Sequence, residues 1–147
     1  MRFKIILFFL FISLYASAQK DLSVSQFFDG KFNKSEKAIV TLLKGKKLTL
    51  YNLSVFHSIT INDSPAIVQQ FTDAVLSDKE MANLVEIVYA GDRVLACYLQ
   101  LAPVSDDAGQ NRFILFRSPN KDSATLIYME GETDLDELIK LFITKKK

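Results

Sequence analysis

Hydrophobic residues begin as an unbroken run, Ile5 to Ile12, and thereafter recur in two rhythms. Ile67, Val68, Phe71, Ala74 and Val75 fall three and four apart, the stripe of an amphipathic helix. Ser64 precedes the stripe as an N-cap residue, and Pro65 takes the first helical position, where its missing N–H costs nothing. Further on the period drops to two. Leu84–Tyr89 and Val94–Leu101 flank Ala90-Gly91-Asp92-Arg93, a hairpin signature. Asn111–Arg117 and Ala124–Glu130 predict two more strands, joined through turn-rich links at 105–109 and 118–122. Links this short favour an antiparallel meander. One face of the first hairpin is expected to carry Val85, Ile87, Tyr89, Leu95, Cys97 and Leu99. Thr133 reads as the cap of a closing helix with Leu135, Leu138, Ile139 and Phe142 on its apolar face. Asp134, Asp136 and Glu137 in its first turn, with Lys140 and Lys145 near its end, suit the helix dipole.

The N-terminal half is less regular. Leu22, Val24, Phe27 and Phe28 predict a short helix over 23–30 that stops near Gly30, followed by a polar link, Phe32 to Glu36. Ala38–Leu43 reads as a buried strand and His57–Ile61 as a second, rich in β-branched residues. Residues 45–53 admit two readings: a strand Leu48–Tyr51 after a turn at Lys44-Gly45-Lys46, or a helical turn. Ser77-Asp78-Lys79-Glu80 resembles a capping box opening one further turn. Together these elements predict an α+β fold: a two-layer sandwich, mostly an antiparallel meander sheet, with two amphipathic helices packed on one face.

The opening run changes the domain count. Arg2 and Lys4, the apolar core Ile5–Leu14, and Ala16-Ser17-Ala18 form the three parts of a secretory leader. The core is about half the roughly 20 residues a membrane-spanning helix needs. Residues 1–18 are therefore expected to be cleaved, leaving 19–147 as a single domain in the periplasm, at the cell surface or secreted, with no transmembrane segment. The leader takes two cations with it, so 16 basic residues face 17 acidic ones in the remainder. With no basic excess, no nucleic-acid partner is expected. Apolar residues at 49% and charged residues at 24% exclude a disordered chain. One Cys and one His exclude a disulfide framework and the usual zinc sets, and no cofactor is expected.

Tyr128-Met129-Glu130 running into Gly131-Glu132-Thr133-Asp134-Leu135-Asp136-Glu137-Leu138 is a strand, a Gly-x-x-Asp-Leu-x-x-Leu turn and a helix. This ending resembles that of small exported α+β domains of unknown function of the Bacteroidota type, and the order of elements before it is also similar. The resemblance implies a structural motif and a setting in envelope signalling, with no activity to carry over.

The candidate chemistry is sparse. His57 is the sole His, and no G-x-S-x-G elbow accompanies any Ser, so no catalytic residue is assigned. Cys97, between Ala96 and Tyr98, reads as a buried thiol acting as a small hydrophobe. The acidic run Glu130, Glu132, Asp134, Asp136, Glu137 and the pair Asp106-Asp107 lack calcium-loop spacing and read as capping and solvation, so no metal is assigned. Lys44, Lys46, Lys47 and the basic end Lys145–Lys147 read as solubilising. Tyr89, Tyr98, Phe113, Phe116 and Tyr128 all fall in the expected sheet; stacked on one exposed face they would form a partner or ligand platform. The expected function is a non-enzymatic exported module binding a protein or small ligand in the envelope. A hydrolase-type enzyme and an oligomeric structural component of the envelope are the alternatives.

Overall fold

A computed structural model of the chain describes residues 22–103 and 110–142. The leader, Asp106-Asp107 and the basic end lie outside the described residues. The chain opens with a 3₁₀ turn, Ser23–Phe27, and continues through β1 (Ala38–Lys44), α1 (Lys46–Thr49), β2 (Leu53–Ile61) and α2 (Pro65–Asp78). A second 3₁₀ turn, Lys79–Met81, leads to β3 (Ala82–Ala90), β4 (Arg93–Leu101), β5 (Asn111–Asn120), β6 (Ser123–Gly131) and α3 (Leu135–Phe142). The six strands form one sheet in the order β1-β2-β6-β5-β4-β3. Every neighbouring pair is antiparallel. After the β1–β2 pair, α2 carries the chain to the far edge. The meander β3 to β6 then returns until β6 lies beside β2.

The expected α+β sandwich with an antiparallel meander is present. The placing of both amphipathic helices on one face is corrected. Phe113, Ile114, Leu115 and Phe116 are consecutive and all buried, so β5 is apolar on both sides. Alternation sends Ile114 and Phe116 to one core with Ile59, Leu99, Leu126 and Tyr128, roofed by Val68, Phe71 and Val75 of α2 and by Val24 and Phe27. Phe113 and Leu115 go to a second core with Tyr98 and Met129, roofed by Leu48 of α1 and by Leu135 and Leu138 of α3. A sheet greasy on both faces requires cover on both, and α2 and α3 therefore lie on opposite sides.

Local chemistry explains most elements. Gly91, at φ +65°, takes the first central position of the two-residue β3–β4 turn, where a type II′ turn calls for glycine. Residues 45–53 resolve to the helical alternative, with Leu48 buried at its centre. Two readings are corrected. Asp134, not Thr133, caps α3: its Oδ1 accepts the Glu137 N–H at 2.9 Å and its carbonyl the Leu138 N–H at 3.2 Å. The Thr133 carbonyl instead accepts the Asn111 side-chain amide at 3.0 Å. β1 is an edge strand, not a buried one, with Ile39, Leu42 and Leu43 exposed.

Two long-range joints hold the layers. Asp78 is buried at the end of α2 and accepts the backbone N–H groups of Ser23 (2.6 Å) and Val24 (3.0 Å), 55 and 54 residues away in sequence. The carboxylate thereby fastens the N-terminal turn over the first core. At the far end of the sheet, Asn52 adopts a left-handed φ of 59° and its carbonyl accepts the Glu132 N–H at 2.9 Å. A Cβ at Gly131 would overlap that carbonyl and lie 2.9 Å from Leu53 Cα. The glycine of the C-terminal motif is thus a close-approach residue at the corner between β6 and α3.

Removing the Asp78 carboxylate strands one buried and one part-buried donor, so Asp78→Ala is expected to cost about 2–4 kcal/mol, with Asp78→Asn losing less; urea unfolding midpoints measure both. Gly131→Ala should lose about 1–3 kcal/mol by steric overlap, whereas Gly91→Ala, with open space around it, should lose less on the same assay.

Candidate functional site

The five aromatic residues expected to share a platform do not meet on one surface. Tyr98 and Phe113 are buried in the α3-side core, and Phe116 and Tyr128 in the α2-side core. Tyr89, 57% exposed, is the only one of the five at the surface. Successive strand positions point to opposite faces, and both faces are roofed at the centre of the sheet.

His57 stands half-buried on β2, opposite Leu42 of β1 and Tyr128 of β6. Its ring centroid is 5.7 Å from that of Phe28 and 6.2 Å from that of Tyr128. Nδ1 is buried and makes no hydrogen bond. Burial, and then the Lys44 ammonium, hold the imidazole below its ordinary value of 6.5, against the opposing pull of Glu130. Glu130 itself accepts the Tyr128 hydroxyl at 2.6 Å. The imidazole is therefore neutral at physiological pH, packed between rings and not paired with a nucleophile. Cys97 is buried as expected, and burial pushes its thiol up to about 11, which keeps it protonated and unreactive. Among the described residues no group of three or more His, Cys, Asp or Glu is placed to hold a metal.

Unsatisfied surface is found at the sheet edges. β3 pairs with β4 alone among the described strands, which leaves a row of backbone groups facing outward. Met81, Leu84, Val85, Val88 and Tyr89 are all exposed, from 40% at Val88 to 57% at Tyr89. The register places Val85 opposite Leu99 and Ile87 opposite Cys97, so these face the α2 side; Leu84, Glu86 and Val88 face the α3 side. The strand is apolar on both faces, with Glu86 its single charge. Beside it lies a cleft of about 410 Å³ whose lining includes Val68, Thr72 and Leu76 of α2, with Tyr89, Arg93 and Val94. Arg93 Nη1 donates to the carbonyl (2.7 Å) and hydroxyl (3.0 Å) oxygens of buried Ser118. That fork fixes the β3–β4 hairpin to the end of β5, so the apolar edge is presented on a rigid support.

This apolar edge is the feature of the described surface that sets the chain apart. The chain belongs to a family of unknown function, DUF6108. The family model matches residues 11–142, which takes in every strand and helix described above. No curated protein matches the chain. Family membership accords with the expectation of a small domain of unknown function drawn from the strand–turn–helix ending. No helix among the described residues is long and apolar enough to cross a membrane.

Alternation alone did not mark the edge: Leu84, Val85, Ile87, Val88 and Tyr89 are apolar on both sides of one strand, as are the central strands β4, β5 and β6.

The neutral His57 makes stability pH-dependent. Its affinity for a proton is lower in the fold than in the unfolded chain, so its contribution is complete above its ordinary value of 6.5 and is lost as pH falls below it. Unfolding midpoints of the wild type should drop as pH falls below 6.5, and His57→Phe should flatten that segment of the profile. An unchanged profile in the variant would mean that other groups govern the acid limb.

Proposed function

We propose that the protein is an exported, non-enzymatic binding module of the envelope whose contact surface is the β3 edge. The observation that carries the reading is one strand: β3 exposes apolar side chains on both faces, its outer backbone pairs with no other described strand, and it has no lysine or proline to guard it. Such an edge accepts a further strand, in which backbone hydrogen bonds supply affinity and side chains supply selectivity. Export is supported by the leader pattern of Arg2, Lys4, Ile5–Leu14 and Ala16-x-Ala18. The neutral, ring-packed His57 and the protonated Cys97 favour binding over chemistry.

A photo-crosslinking residue in place of Val88, in cells making the full chain, tests both parts. Expected are a mature N-terminus at Gln19 in the envelope fraction and a discrete covalent adduct. The same residue in place of Gln70, exposed on α2, should give none. A Val88 position that crosslinks no protein overturns the reading.

A further inference from the structure

The two edges of the sheet are different, and they fit each other. From Lys37 to Lys47, β1 and the residues around it carry Lys37, Lys44, Lys46 and Lys47 and no acid. From Lys79 to Ala90, the approach carries Lys79 and Glu80, and β3 itself carries one acid, Glu86, and no cation. Joining β3 to β3 would place two acidic strands together; joining β3 to β1 sets acid against base. Strand direction agrees. Six strands alternate in direction across the sheet, so β1 and β3 run oppositely. A second copy set beside the first in the same orientation brings its β1 antiparallel to β3, with α2 continuing on the same face.

Backbone phase fixes which residues can meet. The Asn62 N–H donates to the Lys37 carbonyl across the β1–β2 pair, so Lys37, and with it Ile39, Thr41 and Leu43, turn their backbone groups inward. Val40 and Leu42 therefore present theirs outward. On β3 the two-residue turn sets Ala90 against Arg93, which turns Leu84, Glu86 and Val88 inward and leaves Val85 and Ile87 facing outward. Side-chain faces obey the same phase: Val40 and Leu42 lie on the α2 side, as do Val85 and Ile87. Registers two residues apart all satisfy both conditions, and among them one pairs the apolar residues of one edge with those of the other. Leu42 meets Val85, Val40 meets Ile87, Leu43 meets Leu84 and Ile39 meets Val88. Glu86 then faces the hydroxyl of Thr41 rather than an apolar side chain, and the small Ala38 faces Tyr89. Lys46 and Lys47 come to the end of β3 that holds Glu80.

We infer that β3 of one copy pairs with β1 of a second copy in this register, so that the sheet continues from molecule to molecule. The inference rests on the reading of β3 as the contact edge and names its partner. The joint is head-to-tail, so each assembly ends in one free β1 and one free β3.

Sedimentation of the full exported chain and of two edge variants tests it. Leu84→Lys/Val85→Lys blocks β3 and Ile39→Lys/Leu42→Lys blocks β1, all at exposed positions, and the two blocked edges, both cationic, do not attract each other. The wild type should form a concentration-dependent series, and each variant alone should be monomeric. An equimolar mixture should stop at a one-to-one dimer, because each variant supplies the edge the other lacks. For the register, a Leu43→Cys chain mixed with a Leu84→Cys chain should oxidise to a linked pair, while Leu43→Cys with Val85→Cys should not. These single cysteine chains also serve where a double variant fails to fold. A β1-blocked chain that dimerises by itself would establish a two-fold β3 joint and overturn the assignment, as would a wild type that stays monomeric at every concentration. A monomeric wild type whose Val88 position crosslinks a different protein overturns the second copy as partner and leaves the β3 contact standing. A Val88 position that crosslinks nothing removes both.

Discussion

β4, β5 and β6 are apolar on both faces, and that condition organises the rest of the molecule. Tyr98 and Leu99, Phe113 to Phe116, and Tyr128 and Met129 are neighbours in sequence yet buried in opposite cores. A hydrophobic side chain of this size contributes about 1.5–3 kcal/mol when removed from water, so neither face can be left open. The chain answers with two short roofs: α2 and the N-terminal turn on one side, α1 and α3 on the other. With its one cysteine buried as a free thiol, the described fold depends on this double burial without a disulfide. The roofs reach across the central strands and end before the periphery. β1 and β3 are consequently exposed because of the same arrangement that protects β5.

The polar side chains serve this layering. Asp78 ties the N-terminal turn to the end of α2, Asp134 starts α3, Asn52 and Gly131 form the corner beneath it, and Arg93 locks two hairpins through Ser118. Ser64 donates its backbone N–H to the Asp122 carbonyl at 3.0 Å, which joins the start of α2 to the β5–β6 turn. These groups sit where a roof begins or ends, because that is where backbone donors and acceptors lack partners within their own element. The acidic cluster of the C-terminal motif has the same origin. Within it, Asp134 caps α3 and Glu130 accepts the Tyr128 hydroxyl.

Much of this was legible in the sequence wherever a signal was local. The three-four spacing from Ile67 to Val75, Pro65 at a helix start and Gly91 in a two-residue turn each specify an element through a few adjacent residues. Strand existence was legible for the same reason. Facing was not, because alternation identifies a buried side only when the other side is polar, and Phe113-Ile114-Leu115-Phe116 has no polar side. The five aromatics were therefore grouped together, although parity within β5 already separates Phe113 from Phe116; Tyr98 and Tyr128 are placed only by the register of β4 and β6 with β5. Asp78 resembled part of a capping box since its actual partners lie more than fifty residues away. β1 read as buried from its composition, whereas its place at the edge follows from the crossing made by α2, which no local pattern records.

The two edges also show how differently a sheet can be terminated. β1 closes with Lys44 and runs directly into Gly45, Lys46 and Lys47, charges of the kind that discourage the approach of another strand. β3 has irregular pairing near both ends, but from Leu84 to Val88 it is regular, unguarded and held firm by the Arg93 fork. A guarded basic edge repels its own kind and tolerates an acidic neighbour. An unguarded edge with a single carboxylate accepts the neighbour that can lie opposite that charge. Selectivity between such edges therefore comes from mismatch as much as from attraction. Like edges bring like charges together, whereas unlike edges pair their apolar residues, set Glu86 against the Thr41 hydroxyl and leave the lysines at the end, in water.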